Sequence, residues 1–163
     1  MPELALAPAD PRTPEAAALI RELSHELARR YDFIDDGSGD FKPEDALVPG
    51  GVFLVGRVGG RAVACGAVRP TGEAGVCEVK RMFVAPDCRG RGYSRAVLAE
   101  LERLAAGMGY RVARLETGDR QPEAIALYQR ANYRRVPNFG IYAGVEISLC
   151  FEKELAPAPG AAG

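Results

Sequence analysis

Histidine is almost absent from this chain of 163 residues, which contains only His25. The four cysteines are Cys65, Cys77, Cys88 and Cys150, and none stands at the CxxC or Cys/His spacing that a structural zinc site requires. We therefore expect no metal site, and we expect ordinary buried thiols in the strand-like runs. His25 lies away from the apolar stripe of its predicted helix, which favours a solvent-exposed histidine over a catalytic one.

An excess of either charge is also missing. The 21 Lys and Arg residues against 22 Asp and Glu residues give a formal net charge of -1, so we expect no wholesale binding to nucleic acid or to a membrane surface. The first residues carry acidic groups and prolines rather than a basic region followed by an apolar one, and no apolar run has membrane-spanning length. These absences predict a soluble, cytoplasmic protein.

The length fits one domain with a sizeable core, so any cofactor and substrate must share a single fold. Residues 1–155 are predicted to form this domain. Residues 156–163, with the sequence APAPGAAG, are of low complexity and cannot bury enough apolar surface to become ordered. We expect a disordered tail there.

The periodicity of apolar residues predicts a chain in which strands precede alternating helices and strands. A Gly-Gly pair at 59–60 joins the predicted strands 52–58 and 61–69 into a hairpin. The other predicted elements are a helix at 13–31, a short helical turn at 43–47, a strand at 76–84, a helix at 94–106, a strand at 112–117, a helix at 122–131, and strands at 133–136 and 145–154. An α/β (α+β) fold follows, with a mixed sheet and helices on its faces.

The segment RGRGYSR, from Arg89 to Arg95, lies between a predicted strand and a predicted helix. The first turn of a helix has unpaired N–H groups and the positive end of the helix dipole. Gly90 and Gly92 allow a ligand to approach the backbone closely, and the arginines add positive charge. This pattern is typical of a phosphate or pyrophosphate site, and a solvent-exposed, arginine-bearing turn is the alternative. Neither the Walker pattern nor the dinucleotide GxGxxG pattern is present.

Residues 84–94, VAPDCRGRGYS, resemble the acetyl-CoA motif of the GNAT superfamily of N-acetyltransferases. In that motif a Val-x-Pro step leads into Gln/Arg-x-x-Gly-x-Gly/Ala. Arg89 and Gly92 match it, and Ser94 stands where the family prefers glycine or alanine. Serine is still small enough for close contact with the backbone.

Residues 124–133, AIALYQRANY, resemble the second signature of the same family, A-x-x-L-Y-x-x-x-G-F/Y. Asn132 stands at the usual glycine and also tolerates the left-handed conformation that ends a helix. The two signatures occur in the family's order, and the resemblance spans about residues 50–155, most closely to a bacterial subgroup thought to act on small molecules. It implies a mixed, mostly antiparallel central sheet of about six to seven strands, helices on both faces, and splayed strands at the CoA site.

The resemblance implies acetyl-CoA as the cofactor and assigns residues to it. The backbone of Phe83 and Val84 would bind the pantetheine arm. Gln121 takes the place of an asparagine that often contacts the cofactor. The residues expected around the pyrophosphate, through backbone amides or arginine charge, are Arg89, Gly90, Arg91, Gly92, Ser94 and Arg95.

An amine with a pKa of about 10 is mostly protonated at neutral pH, so its acetylation needs a proton acceptor. Glu78 is the candidate base, because it stands on strand 76–84, on the predicted face of Val84, where some family members carry a base. An ion pair with Lys80 or across strands is the alternative. Tyr128 matches the tyrosine that many GNAT enzymes use as the general acid, and a core aromatic is the alternative. The lack of an activated Cys/His or Ser/His pair favours direct attack by the amine.

The predicted function is acetyl transfer from acetyl-CoA to a primary amine of a small molecule. Acetylation of protein or peptide amines, and non-catalytic sensing of acyl-CoA, are the alternatives. Residues 35–41 and 137–142 are expected to frame the acceptor site, where Asp35, Asp36 and Asp40 could attract a cationic amine. A solvated loop is the alternative there. The resemblance leaves a monomer and a homodimer open.

Overall fold

The computed structural model describes residues 3–31 and 41–157. Its strands are β1 Ala5–Pro8, β2 Val52–Val58, β3 Arg61–Pro70, β4 Val76–Val84, β5 Val112–Gly118, β6 Arg134–Val136 and β7 Ser148–Glu154. They form a seven-stranded sheet in the order β1-β2-β3-β4-β5-β7-β6, in which β4 and β5 run parallel and every other neighbouring pair is antiparallel. The predicted mixed, mostly antiparallel sheet is confirmed.

Three α-helices connect the strands: α1 Pro14–Tyr31, α2 Tyr93–Gly107 and α3 Pro122–Arg130. Short 3-10 turns occur at Pro43–Ala46, Pro86–Cys88 and Gly140–Tyr142. The predicted helices differ from these bounds by one residue at most at either end. None of the helices in the described ranges is long and apolar enough to span a membrane.

Helices cover both faces of the sheet. The apolar stripe of α2, which includes Val97 and Leu101, packs into one core together with residues of α3. Leu19 and Leu23 of α1 pack into a second core on the opposite face. Both cores use alternate residues of the central strands, as expected where side chains alternate between the faces of a sheet. The prediction of helices on both faces is confirmed, and His25 is exposed on α1 as predicted.

Two strand predictions differ from the structure. Strand β1 was not predicted, because Ala5–Pro8 is only four residues long, lacks an alternating pattern and ends in proline. It is an edge strand that pairs with β2. Strand β7 begins at Ser148 rather than at Val145, because the preceding residues form turns, in which the Ser148 amide donates to the Val145 carbonyl at 3.1 Å.

The parallel strands β4 and β5 separate halfway along their length. Their ladder runs from the Val76–Val112 pair to the Val79–Leu115 pair. Beyond it β4 continues to Val84 and β5 to Gly118. This confirms the splayed strands, and the gap between them is the natural place for a ligand, because backbone groups on both inner edges are released from the ladder.

A β-bulge lies in β4 where the strand reaches this gap. One residue of β3, Gly66, lies between two paired positions, whereas two residues of β4, Arg81 and Met82, lie between their partners. Arg81 has a φ of 57°, in the left-handed region that is unusual for a residue other than glycine. The bulge therefore adds one residue to β4 and reverses the alternation of its side chains.

The prediction that Glu78 shares a face of the strand with Val84 is wrong, and the bulge is the reason. Val79 and Val84 both pack into the core beneath α2, whereas Phe83 packs into the core beneath α1. Since Glu78 precedes Val79, it lies on the α1 side together with Phe83. Regular alternation, which the sequence pattern assumes, holds only up to Lys80.

Two predictions fall on parts of the chain that are not described. Residues 158–163 of the predicted tail lie outside the described residues, and so do Asp35, Asp36 and Asp40 of the predicted acceptor loop.

Candidate active site

The gap between β4 and β5 opens into a cavity of about 690 Å³. Its wall includes residues 79–84 of β4 and 116–118 of β5. The second half of α1, the loop before α2 and the start of α3 complete the wall. The cavity thus joins the predicted anion site to Tyr128, the predicted catalytic residue on α3.

Helix α2 begins at the cavity with two glycines in the left-handed conformation. Gly90 has a φ of 80°, and Gly92, the N-cap residue, has a φ of 79°. A Cβ atom added at either glycine would have no protein atom within 4 Å, so both positions face open space. The first N–H groups of α2 have no partner inside the helix, and they point outward from this open end. The arrangement fits a bound phosphate group.

Arg89 is held by several contacts beside this helix end. Its Nε donates to the Val84 carbonyl at 2.9 Å, its guanidinium lies 5.5 Å from the centre of the Phe83 ring, and its Nη1 is 2.8 Å from Glu26 Oε1. Arg89 therefore joins the loop to α1 and shares its charge with a carboxylate. That its charge also serves a pyrophosphate stays a prediction.

The C-terminal end of helix α1 is bound to α3 and to the residues just before it. Arg30 forms an ion pair with Glu123 of α3 and donates to the Arg120 carbonyl at 3.1 Å. The Arg120 amide in turn donates to the Tyr31 hydroxyl at 2.9 Å. Together with the Arg89–Glu26 pair, these contacts position the α1 part of the wall.

Most of the predicted cofactor residues line this cavity. They are Phe83, Val84, Arg89, Gly90, Gly92, Ser94 and Gln121. Arg91 and Arg95 are exposed on the loop and on α2, outside the wall. Their backbone amides belong to the same helix start, but their side chains point to solvent.

Tyr128 of α3 lines the cavity and is 6% exposed. Its ring packs edge-on against Tyr133, with 5.8 Å between ring centres. Burial, and to a smaller extent the charge of Glu116, raises the pKa of Tyr128 above its ordinary value. A tyrosine of ordinary pKa is already protonated at neutral pH, and this shift keeps it so, which means that the phenol holds the proton that a general acid needs.

Glu78 lies behind the wall rather than in it, with 5% of its surface exposed. Its Oε1 accepts from Arg69 Nε at 3.0 Å and lies 2.9 Å from Arg69 Nη2. Arg69 also donates to Asp45 Oδ2 at 3.0 Å. The cross-strand ion pair anticipated as an alternative is present, with Arg69 of β3 as the partner rather than Lys80.

Tyr142 connects Glu78 to the cavity. Its hydroxyl donates to Glu78 Oε2 at 3.0 Å and accepts from Lys80 Nζ at 2.8 Å. Tyr142 and Lys80 both line the cavity, and Tyr142 is 8% exposed. Sequence reasoning included Tyr142 only as the end of segment 137–142, and nothing in its spacing linked it to Glu78.

Glu116 is a second acidic residue of the wall that sequence reasoning did not select. It follows Leu115, the last residue of β5 that pairs with β4, and Ser148 Oγ donates to its Oε2 at 2.6 Å. Its charge alone did not single it out in the sequence, because the same strand also contains Arg114 and Thr117.

The four cysteines are free and buried. Burial raises the pKa of Cys65 to about 12 and the pKa of Cys77 to about 12. Within residues 3–31 and 41–157, the structure contains no group of three or more His, Cys, Asp or Glu side chains that could hold a metal ion.

Comparison with known proteins places this chain in a family. Residues 17–133 match the acetyltransferase (GNAT) family. The chain is 36% identical over 155 residues to the IAA acetyltransferase of Azospirillum brasilense, covering 95% of this chain and 100% of that protein. It is 30% identical over 128 residues to the uncharacterized N-acetyltransferase YjgM of Escherichia coli K12, covering 76% of this chain and 77% of that protein.

Solved structures show the same likeness. An acyl-CoA N-acyltransferase from Klebsiella pneumoniae superposes with a TM-score of 0.78 and 31% identity, over 94% of this chain and 98% of that chain. A GNAT family acetyltransferase from Elizabethkingia anophelis, solved with acetyl-CoA bound, superposes with a TM-score of 0.66 and 17% identity, over 93% of this chain and 98% of that chain.

This chain belongs to the GNAT family of acetyltransferases. It is an acetyl-CoA-dependent acyltransferase, and its cofactor is acetyl-CoA. The residues present fit this cofactor, because the open backbone at Gly90 and Gly92 suits a pyrophosphate and the edge of β4 beyond Val79 is free of β5.

Proposed function

We propose that this enzyme transfers the acetyl group of acetyl-CoA to a primary amine of a small molecule, by direct attack of the amine nitrogen. The observation that carries the proposal is the continuous cavity, which joins the open start of α2 to Tyr128, Lys80 and Tyr142. Its volume of about 690 Å³ lies in the range of small-molecule sites. The Azospirillum relative, whose name gives IAA as its acceptor, also supports a small molecule.

The cofactor is proposed to lie along β4 and the start of α2. The backbone of Phe83 and Val84 would hold the pantetheine arm, and Gln121 would contact it from the start of α3. The residues proposed around the pyrophosphate are Arg89, Gly90, Arg91, Gly92, Ser94 and Arg95. The backbone amides contribute most, because the side chain of Arg89 is already engaged by Glu26.

When bound, acetyl-CoA would supply a reactive thioester, whose acetyl carbon would form a bond with the amine nitrogen as its bond to sulfur breaks. Glu78 would take up the proton that the acceptor ammonium must lose before it attacks. Tyr128 would donate its phenolic proton toward the leaving sulfur, and the second N–H proton, which the nitrogen loses as the amide forms, would restore the phenol. Both roles agree with their places beside the cavity, Tyr128 in the wall and Glu78 one side chain behind it.

Direct attack is favoured over an acyl-enzyme by the neighbours of the one cysteine in the described wall. Cys88 Sγ lies 3.8 Å from Asp87 Oδ1 and 3.8 Å from Arg61 Nη1. An adjacent histidine is the common activating base of a nucleophilic cysteine. The chain's single histidine, His25, is exposed on α1 and is not part of the wall.

We also propose a cytoplasmic, bacterial enzyme that works without nucleic acid or a membrane, as a monomer or a homodimer. The formal net charge of -1 supports this setting, and so do the bacterial relatives from Azospirillum brasilense and Escherichia coli.

The test is release of the CoA thiol from acetyl-CoA in the presence of a panel of acceptors. The panel contains phenethylamine, spermidine, free amino acids and lysine-containing peptides. We expect turnover with at least one small amine and little with the peptides. Faster turnover of the peptides would contradict the small-molecule proposal. Tight CoA binding by calorimetry without turnover of any acceptor would indicate a sensor instead.

A further inference from the structure

Glu78 cannot meet an acceptor directly, because it does not belong to the cavity wall and only 5% of its surface is exposed. A general base must lie within hydrogen-bond reach of the proton that it removes, either directly or through one water. A tyrosine hydroxyl both accepts and donates, so it can take the place of that water. Of the residues that the structure describes, Tyr142 lies in the wall and also forms a hydrogen bond with Glu78.

The hydrogen bonds around Tyr142 fix the direction of its hydroxyl proton. Lys80 Nζ lies 2.8 Å from the hydroxyl oxygen, and Glu78 Oε2 lies 3.0 Å from it. A lysine ammonium has only donors and an ionised carboxylate only acceptors. The hydroxyl therefore accepts from Lys80 and donates to Glu78.

The carboxylate of Glu78 is held in a matching orientation. Arg69 binds its other oxygen, Oε1, through Nε at 3.0 Å and Nη2 at 2.9 Å. Asp45 anchors Arg69 from the far side at 3.0 Å. This fork of two contacts leaves Oε2 turned toward Tyr142. Among the described residues, the charged groups whose contacts lead to the hydroxyl are thus Lys80, Glu78 and Arg69, with Asp45 behind them.

We propose that Tyr142 is a catalytic residue that passes the proton of the acceptor ammonium to Glu78. An N–H bond of the ammonium breaks as an O–H bond forms at the Tyr142 oxygen. The original O–H bond of Tyr142 breaks as one forms at Glu78 Oε2. The ammonium becomes a neutral amine, the carboxylate becomes a carboxylic acid, and Tyr142 is unchanged. The proton returns to solvent along the same path after the product leaves.

This inference rests on the proposed acetylation of an amine, and three variants test it: Tyr142→Phe, Glu78→Gln and the double variant. The assay is CoA release with the panel amine that the unaltered enzyme turns over fastest. At pH 7 we expect each single variant to lose about 10²- to 10⁴-fold in kcat. Because both residues serve one path, we expect the double variant to match the slower single variant within about threefold.

The pH profile separates proton transfer from a structural defect. A free amine with a pKa of about 10 needs no proton acceptor once it is deprotonated in solution. We therefore expect the rates of Tyr142→Phe and Glu78→Gln to rise toward that of the unaltered enzyme near pH 10. A misshapen site would stay slow at every pH.

A matched control is Tyr110→Phe. Tyr110 is partly buried, and its hydroxyl donates to the Gly50 carbonyl at 2.7 Å, but it is not part of the wall. The Tyr110→Phe variant should lose stability as Tyr142→Phe does and keep the rate of the unaltered enzyme. Calorimetry provides a readout besides activity. The unaltered enzyme, Tyr142→Phe and the control variant should have CoA affinities within about twofold of one another, since neither change touches the start of α2.

Lys80→Met provides a second test if Tyr142→Phe does not fold. It removes the donor that orients the Tyr142 hydroxyl, so it should also slow the reaction at pH 7.

Three results would overturn the relay while the unaltered enzyme remains active. They are an undiminished rate in Tyr142→Phe, losses that multiply in the double variant, and losses that persist at pH 10. A full rate in Tyr142→Phe together with a large loss of rate in Glu116→Gln would instead identify Glu116 of β5 as the residue that accepts the ammonium proton. Failure of the unaltered enzyme on every amine would refute the proposed function itself, and the relay with it.

Discussion

Replacing Gly92 by alanine adds one methyl group at the proposed pyrophosphate site and so tests that site. Gly92 has a φ of 79°, and an added Cβ would meet no protein atom within 4 Å. The cost in the protein alone is the strain of an alanine in the left-handed conformation, about 1–2 kcal/mol. The methyl group would project from the first turn of α2 into the space proposed for the pyrophosphate.

The effect on the cofactor should be larger than the effect on the fold. Losing one hydrogen bond between the backbone and a charged phosphate costs about 1.5–3 kcal/mol, which corresponds to a CoA dissociation constant raised about 10- to 100-fold. Calorimetric titration with CoA measures the affinity, and urea unfolding measures the strain.

Gly72 provides the matched control. It has a φ of 87°, and an added Cβ there also meets nothing within 4 Å, but it lies in the turn between β3 and β4, outside the cavity wall. Gly72→Ala should lose a similar free energy of unfolding and keep full CoA affinity. Equal CoA affinity in Gly72→Ala and Gly92→Ala would refute the proposed site.

Three further predictions concern the wall and the core. Tyr128→Phe should lower kcat about 10²- to 10⁴-fold through loss of the proton donor, with CoA affinity unchanged by calorimetry. Arg69→Met should lower the free energy of unfolding in urea by about 3–5 kcal/mol, because Glu78 keeps a buried charge without its partner; a loss below 1 kcal/mol would contradict a buried ion pair. Burial raises the pKa of Cys65 to about 12 from 9.0, so the unfolded chain loses this proton first. The contribution of Cys65 to the free energy of unfolding is therefore constant below about pH 9 and falls by up to about 1.4 kcal/mol per pH unit between about pH 9 and pH 12. Urea unfolding at several pH values should show a less steep fall over this range in Cys65→Ala.

The elements that sequence reasoning predicted well are those with strong local signals. The helix after the glycines follows from apolar spacing and from the open N-terminus that Gly90 and Gly92 create. The hairpin follows from its two glycines, Gly59 and Gly60, both of which have positive φ. These signals depend on residues close together in the chain, so one sequence is sufficient to find them.

The catalytic side of the cavity depends on contacts that local patterns do not contain. The bulge at Arg81 turned Glu78 away from the face of Val84, and no glycine marks that bulge in the sequence. The pairing of Glu78 with Tyr142 joins residues 64 positions apart. Arg89 likewise meets Glu26 across 63 positions of the chain. Such contacts follow from the packing of α1 and the 3-10 turn Gly140–Tyr142 onto the sheet.

The most direct test of the central proposal follows the acetyl group itself. The enzyme is incubated with acetyl-CoA that carries an isotope label in its acetyl group, together with the amine panel, and both the amines and the intact protein are analysed by mass spectrometry. The proposal predicts the label on the nitrogen of a small amine and an unchanged protein mass. Label held on the protein during turnover, or released only as acetate, would contradict it.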